Sequence, residues 1–246
     1  MSNRLPTRLV SEPIIEAVSE VRFDAAGEAA VNLLPGIFHE KFGPFDQQGR
    51  VFPVLPSEIM SSDPSLAFRP QVAMAKGNRI IQVGAKVVSV AVRAPYPGWK
   101  EFSAFIRQVY DVVCAQSFIT TYDWLSLKYV DMVTFDGETP SLSWLNAEVE
   151  LGGTRVEEQP VSLRVESVEG PVTTVVNIGS PVQTQQLDRS ARTGVLLDVD
   201  TIHREPFAEF ASQYSDVLEK LHDRNKQQFF SLLSESTRDR LGPEYA

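Results

Sequence analysis

Three residues late in the chain have the types and spacing of metal ligands. Asp198, Asp200 and His203 form a D-x-D-x-x-H string. Residues two apart on a strand project to the same face, so Asp198 and Asp200 share a face, with His203 following at the corner. Two carboxylates and an imidazole suit a divalent ion, and with it a metal-dependent hydrolase or nuclease-like reaction. The same residues also fit the polar face of an amphipathic strand whose core face is Val195, Leu197 and Val199. A second polar set, His222, Arg224, Asn225 and Lys226, lies on a helical stretch whose buried side is marked by Leu218 and Leu221. It suits anion or partner binding, or local charge pairing along a helix flank. Tyr96, Trp99 and Tyr129 are aromatics suited to lining a stacking pocket or filling the core.

Other chemistries lack their residues. Neither G-x-x-x-x-G-K-[ST] nor G-x-G-x-x-G occurs, so the usual glycine cradles for nucleotides are missing, and there is no G-x-S-x-G nucleophile elbow. His39-Glu40 begins like H-E-x-x-H, but Gly43 stands where the second histidine belongs. Cys114 is the only cysteine, which excludes an internal disulfide. Its place at the end of an apolar helix predicts a buried, inert thiol.

The elements that must position these residues follow from periodicity. Ile14–Phe23 alternates as a strand. Gly27–Phe42 has apolar residues at helical spacing, with a break expected at Pro35-Gly36. The stretch from Gly43 to Pro64 reads as a long surface connection. Leu66–Ala75, Arg79–Val83 and Val87–Arg93 read as a three-strand meander joined by short Gly-containing turns. Pro97-Gly98-Trp99 opens a helix carrying Phe102, Phe105, Ile106, Val109, Val112 and Val113 on one face. Asp123–Phe135 is a long strand burying Leu125, Leu127, Tyr129 and Met132, and its alternation slips near Val130, as a bulge would make it. Leu145–Leu151, Val161–Val168, Val172–Ile178 and Gly194–Thr201 are further strands. Pro206 opens a long helix whose inner face includes Phe207, Phe210, Tyr214, Val217, Leu218, Leu221, Phe229 and Leu232, and Gly242-Pro243 ends the ordered chain.

An internal similarity organises these elements. SVAVRAPYPGWKEFSAFIRQVYDVV (89–113) and LDVDTIHREPFAEFASQYSDVLEKL (197–221) each read as strand, proline corner and aromatic-x-Glu-Phe helix start. Trp99 then matches Phe207, and each should anchor a helix to its own sheet. The expected fold is α+β, a largely antiparallel sheet built from two pseudo-repeats (strand, connection, three-strand meander, long helix). The long helices lie on one face, and the halves 1–136 and 137–246 pack into one body.

Lys plus Arg number 23 against 32 Asp plus Glu, a formal charge of -9. The acidity concentrates between Asp136 and Glu169, and elsewhere the signs are mixed, so no basic stripe offers itself to a duplex. The hydrophobic share of 43% and charged share of 22% fit a folded chain rather than a disordered one. No run of about 18 apolar residues predicts a membrane-spanning helix, and Met1–Ile15 lacks the apolar core of a secretory signal. The expected setting is cytoplasmic.

Four stretches, PIIEAVSEVRF, RIIQVGAKVVSVAVRAPYPGWKEF, LSLKYVDMV and LHDRNKQQFFSLL, follow one another along nearly the whole chain. In that order they resemble a sporadically distributed bacterial family to which no activity is attached. The resemblance implies an accessory bacterial protein, such as one acting in defence against phage, and supplies no catalytic residue. The leading expectation is a non-catalytic protein-interaction or ligand-binding protein. Its partner is a protein or small ligand, with no membrane and no duplex nucleic acid. Its binding residues are Tyr96, Trp99, His222, Arg224 and Lys226. No cofactor is expected. The alternative is the metal-dependent enzyme using Asp198, Asp200 and His203. On charge alone, the protein should give no gel shift with duplex DNA at micromolar protein and about 150 mM salt, a screening length of roughly 8 Å; sub-micromolar binding would reveal a local basic surface.

Overall fold

Alternation in Ile14–Ala25 separates Ala17, Ser19, Val21 and Phe23, all buried, from Glu16, Val18, Glu20 and Arg22 on the other side. This is the pattern of a strand covered on one face. The computed structural model describes residues 5–51, 66, 68–185 and 191–245. In chain order, β1 is Arg8–Leu9, β2 Ile14–Ala25, α1 Ala29–Phe42, β3 Gln47–Arg50, β4 Val72–Lys76, β5 Arg79–Val83, β6 Val87–Arg93, α2 Trp99–Cys114 and β7 Ile119–Val133. A 3₁₀ turn at Leu142–Trp144 leads to β8 Glu150–Leu151, β9 Thr154–Arg155, β10 Val161–Glu169, β11 Val172–Gln185 and β12 Ala191–His203. The chain continues through α3 Phe210–Leu232, α4 Glu235–Arg240 and β13 Pro243–Glu244.

The fold is α+β. Nine strands form one antiparallel sheet in the order β10-β11-β12-β7-β2-β6-β5-β4-β3. The meander β4–β6 leads into α2, and the meander β10–β12 leads into α3. Gly170, at a φ of 56°, makes the tight turn between β10 and β11. Two small ladders, β1 with β13 and β8 with β9, stand apart from the sheet.

Two apolar cores lie on the helical side. One joins Leu34 and Phe38 of α1, Phe102 and Ile106 of α2, and Leu218 and Leu221 of α3 to Val21, Val90, Leu125 and Leu127 of the sheet. The other joins Phe229 and Phe230 of α3, Trp144, Leu233 and Leu241 to Val133, Val195, Leu197 and Val199. The helix α3 spans both. It is held to the sheet by Asn225, 1% exposed, whose amide donates to the carbonyls of Leu127 at 3.1 Å and Val199 at 2.7 Å. The Thr201 hydroxyl lies 3.0 Å from the Leu127 carbonyl and 3.1 Å from that of Leu221.

Several expectations need correction. The helix α1 runs unbroken through Pro35, because Ala30, Leu34 and Phe38 are buried on both sides of it and packing outweighs the lost backbone bond. The connection after Gly43 contains β3, paired with β4, and residues 52–64 lie outside the described residues; the strand expected from Leu66 begins only at Val72. Leu145–Leu151 is mostly not strand: Leu145 bridges Leu233, and only Glu150–Leu151 pairs, in the small β8–β9 hairpin. The last long helix begins at Phe210 rather than at Pro206. Gly242-Pro243 does not end the order, since Pro243–Glu244 pairs with Arg8–Leu9.

Replacing Asn225 with Ala removes the hydrogen bonds to two strand carbonyls beneath α3, of which Leu127 keeps the Thr201 hydroxyl and Val199 loses its side-chain donor. A buried acceptor left unsatisfied costs about 1–3 kcal/mol. Chemical denaturation of Asn225→Ala should show a loss in that range; a change under about 0.5 kcal/mol, typical of surface sites, would mean the helix is not anchored there.

Candidate functional site

From Leu125 to Val133 the alternation of β7 does not slip. Leu125, Leu127, Tyr129, Asp131 and Val133 form one column facing the helices, and every one is buried. What reads in sequence as a bulge near Val130 is a carboxylate standing in a core column, while Met132 belongs to the opposite face. The register shift in this region lies instead in the pairing of β2 with β7, between Ile14 and Glu16.

Around Asp131 the two cores part and leave a cleft of about 1360 Å³. Its walls draw on several elements. The β6–α2 link contributes Tyr96, and α2 contributes its first residue, Trp99. The strand β7 contributes Tyr129 and Asp131, and α3 contributes His222, Lys226, Phe229 and Phe230. The N-terminal stretch around β1 closes the remaining side with Arg8, Leu9 and Glu12.

The aromatic wall is tied together by polar contacts. The Trp99 and His222 rings stack at 3.9 Å with planes 3° apart. The Trp99 indole N–H donates to Glu219 Oε2 at 2.8 Å, and Glu219 in turn pairs with Arg107. The Tyr96 and Tyr129 hydroxyls are 3.0 Å apart, and the Tyr129 hydroxyl lies 3.2 Å from His222 Nδ1. The result is a chain from Tyr96 through Tyr129 to His222. Trp99 therefore does not anchor α2 to its own sheet; it crosses to α3. Phe207, its expected counterpart, precedes α3 and packs on His203 and Phe210.

Burial shapes the charge states. Desolvation lowers the His222 pKa to about 4, helped by Lys226 one helical turn on and opposed by Glu219. The imidazole is therefore neutral at pH 7. Burial raises both tyrosine hydroxyls. It also holds the Asp131 carboxyl well above the usual carboxylate range, with the charges of Glu12 and Asp198 adding to the effect. Glu12, exposed at the rim, is raised by desolvation against the opposing field of Arg8.

Four of the five expected binding residues, Tyr96, Trp99, His222 and Lys226, meet in this cleft. Arg224 does not; it bonds the Thr174 hydroxyl at 2.8 Å and pairs with Glu169 at 2.6 Å. The expected metal ligands do not converge. Asp198 and Asp200 share the helix-free face beside Lys128, whereas His203, an odd number of residues on, lies on the helical face against Phe207, with ring centroids 4.7 Å apart. Among the described residues, no three His, Cys, Asp or Glu side chains group as metal ligands. One buried oxygen of each of Asp198 and Asp200 has no hydrogen-bond partner among those residues, and desolvation raises Asp200 to about 6. Burial pushes the Cys114 thiol up to about 11, as fits an inert sulfur. No described helix is long and apolar enough to cross a membrane.

No family model matches the chain, and no curated protein matches it.

His222 has a lower pKa folded than unfolded, so the unfolded chain binds more protons below the ordinary value of 6.5. Its contribution to stability is full above that pH and falls as the pH drops toward 4. An NMR titration should place the His222 midpoint near 4. Trp99→Ala, which uncovers the ring, should move the His222 midpoint upward. A midpoint near 6.5 in the unaltered protein would mean that the stack is open in solution.

Proposed function

We propose that the chain is a non-catalytic ligand-binding protein whose ligand occupies the cleft between α2, α3 and β7. One observation carries the reading: a cleft of about 1360 Å³ interrupts the core where helix and sheet would otherwise close, and polar and aromatic side chains from several elements converge on it. Small-molecule sites have this character, an apolar hollow with a few placed polar groups, at volumes of roughly 300–1,000 Å³. The larger space here suits a ligand bigger than a single amino acid. The chain Tyr96–Tyr129–His222 presents hydroxyl and imidazole groups whose positions are set before a ligand arrives.

The fold supports this placement if the sheet is taken as two related halves. On one side of the central pair the order is β2-β6-β5-β4, and on the other it is β7-β12-β11-β10. Each half is then a strand, a connection, a meander and a helix, with α2 and α3 as counterparts. In this reading β7 opens the second half, so the division falls between α2 and β7 rather than after Asp136. The likeness to a patchily distributed bacterial family agrees with an accessory role, including one in defence against phage. The metal-dependent hydrolase reading gains no support from strand geometry that turns His203 away from Asp198 and Asp200.

A fragment screen read by thermal shift and ligand-observed NMR tests the proposal. Hits should bind the unaltered protein and Asp198→Ala alike, and weaken at least tenfold, about 1.4 kcal/mol, in Trp99→Ala. A shift with Mn²⁺, Mg²⁺ or Zn²⁺ that disappears in Asp198→Ala would instead favour the hydrolase.

A further inference from the structure

The deepest polar group in the cleft is Asp131, 2% exposed and lining the cavity. No hydrogen bond or ion pair reaches its carboxyl from any described residue. Buried carboxyls are ordinarily hydrogen-bonded or paired. Arg8, Arg93 and Lys226 line the cleft, and none of them pairs with Asp131: Arg93 pairs with Glu16 at 3.3 Å, and Arg8 acts on Glu12 at the rim. Lys226 stands on α3 beside His222 and Asp223, and forms no ion pair with Asp131. The groups that face Asp131 are Glu12 from the β1–β2 link, Tyr96, Tyr129 of its own strand, Asp198 of β12 through the sheet, and His222 and Lys226 of α3. Two of these are carboxylates, two are phenols, one is a neutral imidazole and one, Lys226, is an amine whose positive charge desolvation disfavours; the charges that act on Asp131 are those of the two carboxylates, so an anion at the floor would meet repulsion. A cation would find a carboxylate partner and aromatic rings together.

We propose that the cleft takes an organic ammonium ion, its charged nitrogen seated on Asp131 with Glu12 at the rim and the rings of Tyr96, Trp99 and Tyr129 beside it. This assignment rests on the cleft being a ligand site. In the empty site burial and the neighbouring carboxylates disfavour the charge of the Asp131 carboxyl and raise its hold on a proton. An arriving ammonium reverses that balance, so binding favours release of a proton from Asp131 to solvent. Affinity therefore rises with pH until the carboxyl of the empty protein is itself ionised. Protonation of His222 and Lys226 adds positive charge at lower pH, which acts in the same direction.

The probes are tryptamine and 1,5-diaminopentane, each against its fully N-acetylated derivative, which keeps the carbon frame and loses the charge. Calorimetry at pH 7 in two buffers of different ionisation enthalpy reads affinity and proton release together. The amines should bind with release of protons, and the acetylated forms should bind more than about thirtyfold more weakly. Asp131→Asn keeps the side-chain shape and should fold, as a thermal melt will show, while losing most of the affinity and the proton release. Glu12→Gln, at the exposed rim, gives a smaller loss of affinity with proton release retained. Equal binding of amine and acetylated probe, or undiminished binding to Asp131→Asn, overturns the assignment. Should neither amine bind while neutral or anionic fragments do, and lose affinity in Trp99→Ala, the ammonium assignment falls and the ligand site stands. If no fragment of any charge binds, both fall.

Discussion

Everything around the cleft depends on how α3 is fixed to the sheet. One helix serves two cores, with Leu218 and Leu221 in the first and Phe229 and Phe230 in the second. Between them its sheet-facing surface turns polar. There the contact is made by Asn225, whose amide bonds carbonyls of two neighbouring strands, and by Thr201 of β12 beneath the Leu221 carbonyl. A leucine at either place would seal the interface by packing without specifying a register. Hydrogen bonds to named carbonyls set the height and rotation of the helix. Because that rotation is set, His222 and Lys226 fall on the cleft side. Arg224 falls on the other flank, where Glu169 and Thr174 meet it.

The cleft wall is an interhelical contact as much as a pocket. Trp99 sits at the first turn of α2, yet its partners, His222 and Glu219, belong to α3. Arg107 reaches the same Glu219 from two turns further along α2, and the Tyr214 hydroxyl of α3 donates to Asp111 Oδ1 at 2.6 Å. These contacts clamp the helices along their length. The aromatic face presented to the cleft is thereby held by its own supporting bonds, the condition under which a binding site gains most from each contact. The helix-free face of the sheet is built differently. Glu16, Glu20, Arg22, Lys128, Asp198 and Asp200 stand there in strand-to-strand rows, with charges of both signs close together.

Much of this architecture is legible in the sequence where a single period governs a long segment. Arg79–Val83, Val87–Arg93 and the start of α2 at Trp99 lie where alternation, glycine turns and the proline corner put them. Legibility fails where tertiary contact overrides local chemistry. Pro35 does not break α1, because buried neighbours on both sides hold the turn. Leu145–Leu151 joins no strand of the large sheet, since pairing partners, which periodicity alone does not name, decide which segments join a sheet. In the cleft, the aromatics and His222 are visible as types. Their meeting is not, because it requires α2 and α3 to lie side by side. The most informative signal was present and open to another explanation: an inward column reading Leu125, Leu127, Tyr129, Asp131, Val133 contains one residue that should not be there. Read as a slip of register, it hides the carboxyl; read as strict alternation, it exposes it.

That carboxyl is expensive to keep. An ionised group without a partner in such a place would cost several kcal/mol, and proteins avoid the cost by shifting its pKa and leaving it neutral. Even neutral, Asp131 offers a hydroxyl and a carbonyl that nothing among the described residues satisfies. A leucine or valine would fit the column, as Leu127 and Val133 do on either side, and would join the two cores without a gap. Folding alone gives no reason for an acid here, and the packing argument favours its removal. Sites where local consistency is broken without a compensating internal contact are where function commonly enters. The gap between the cores, the polar stretch of α3 above it and the unpaired acid below it are then one feature: the space, its roof and the group at its floor that a ligand would complete.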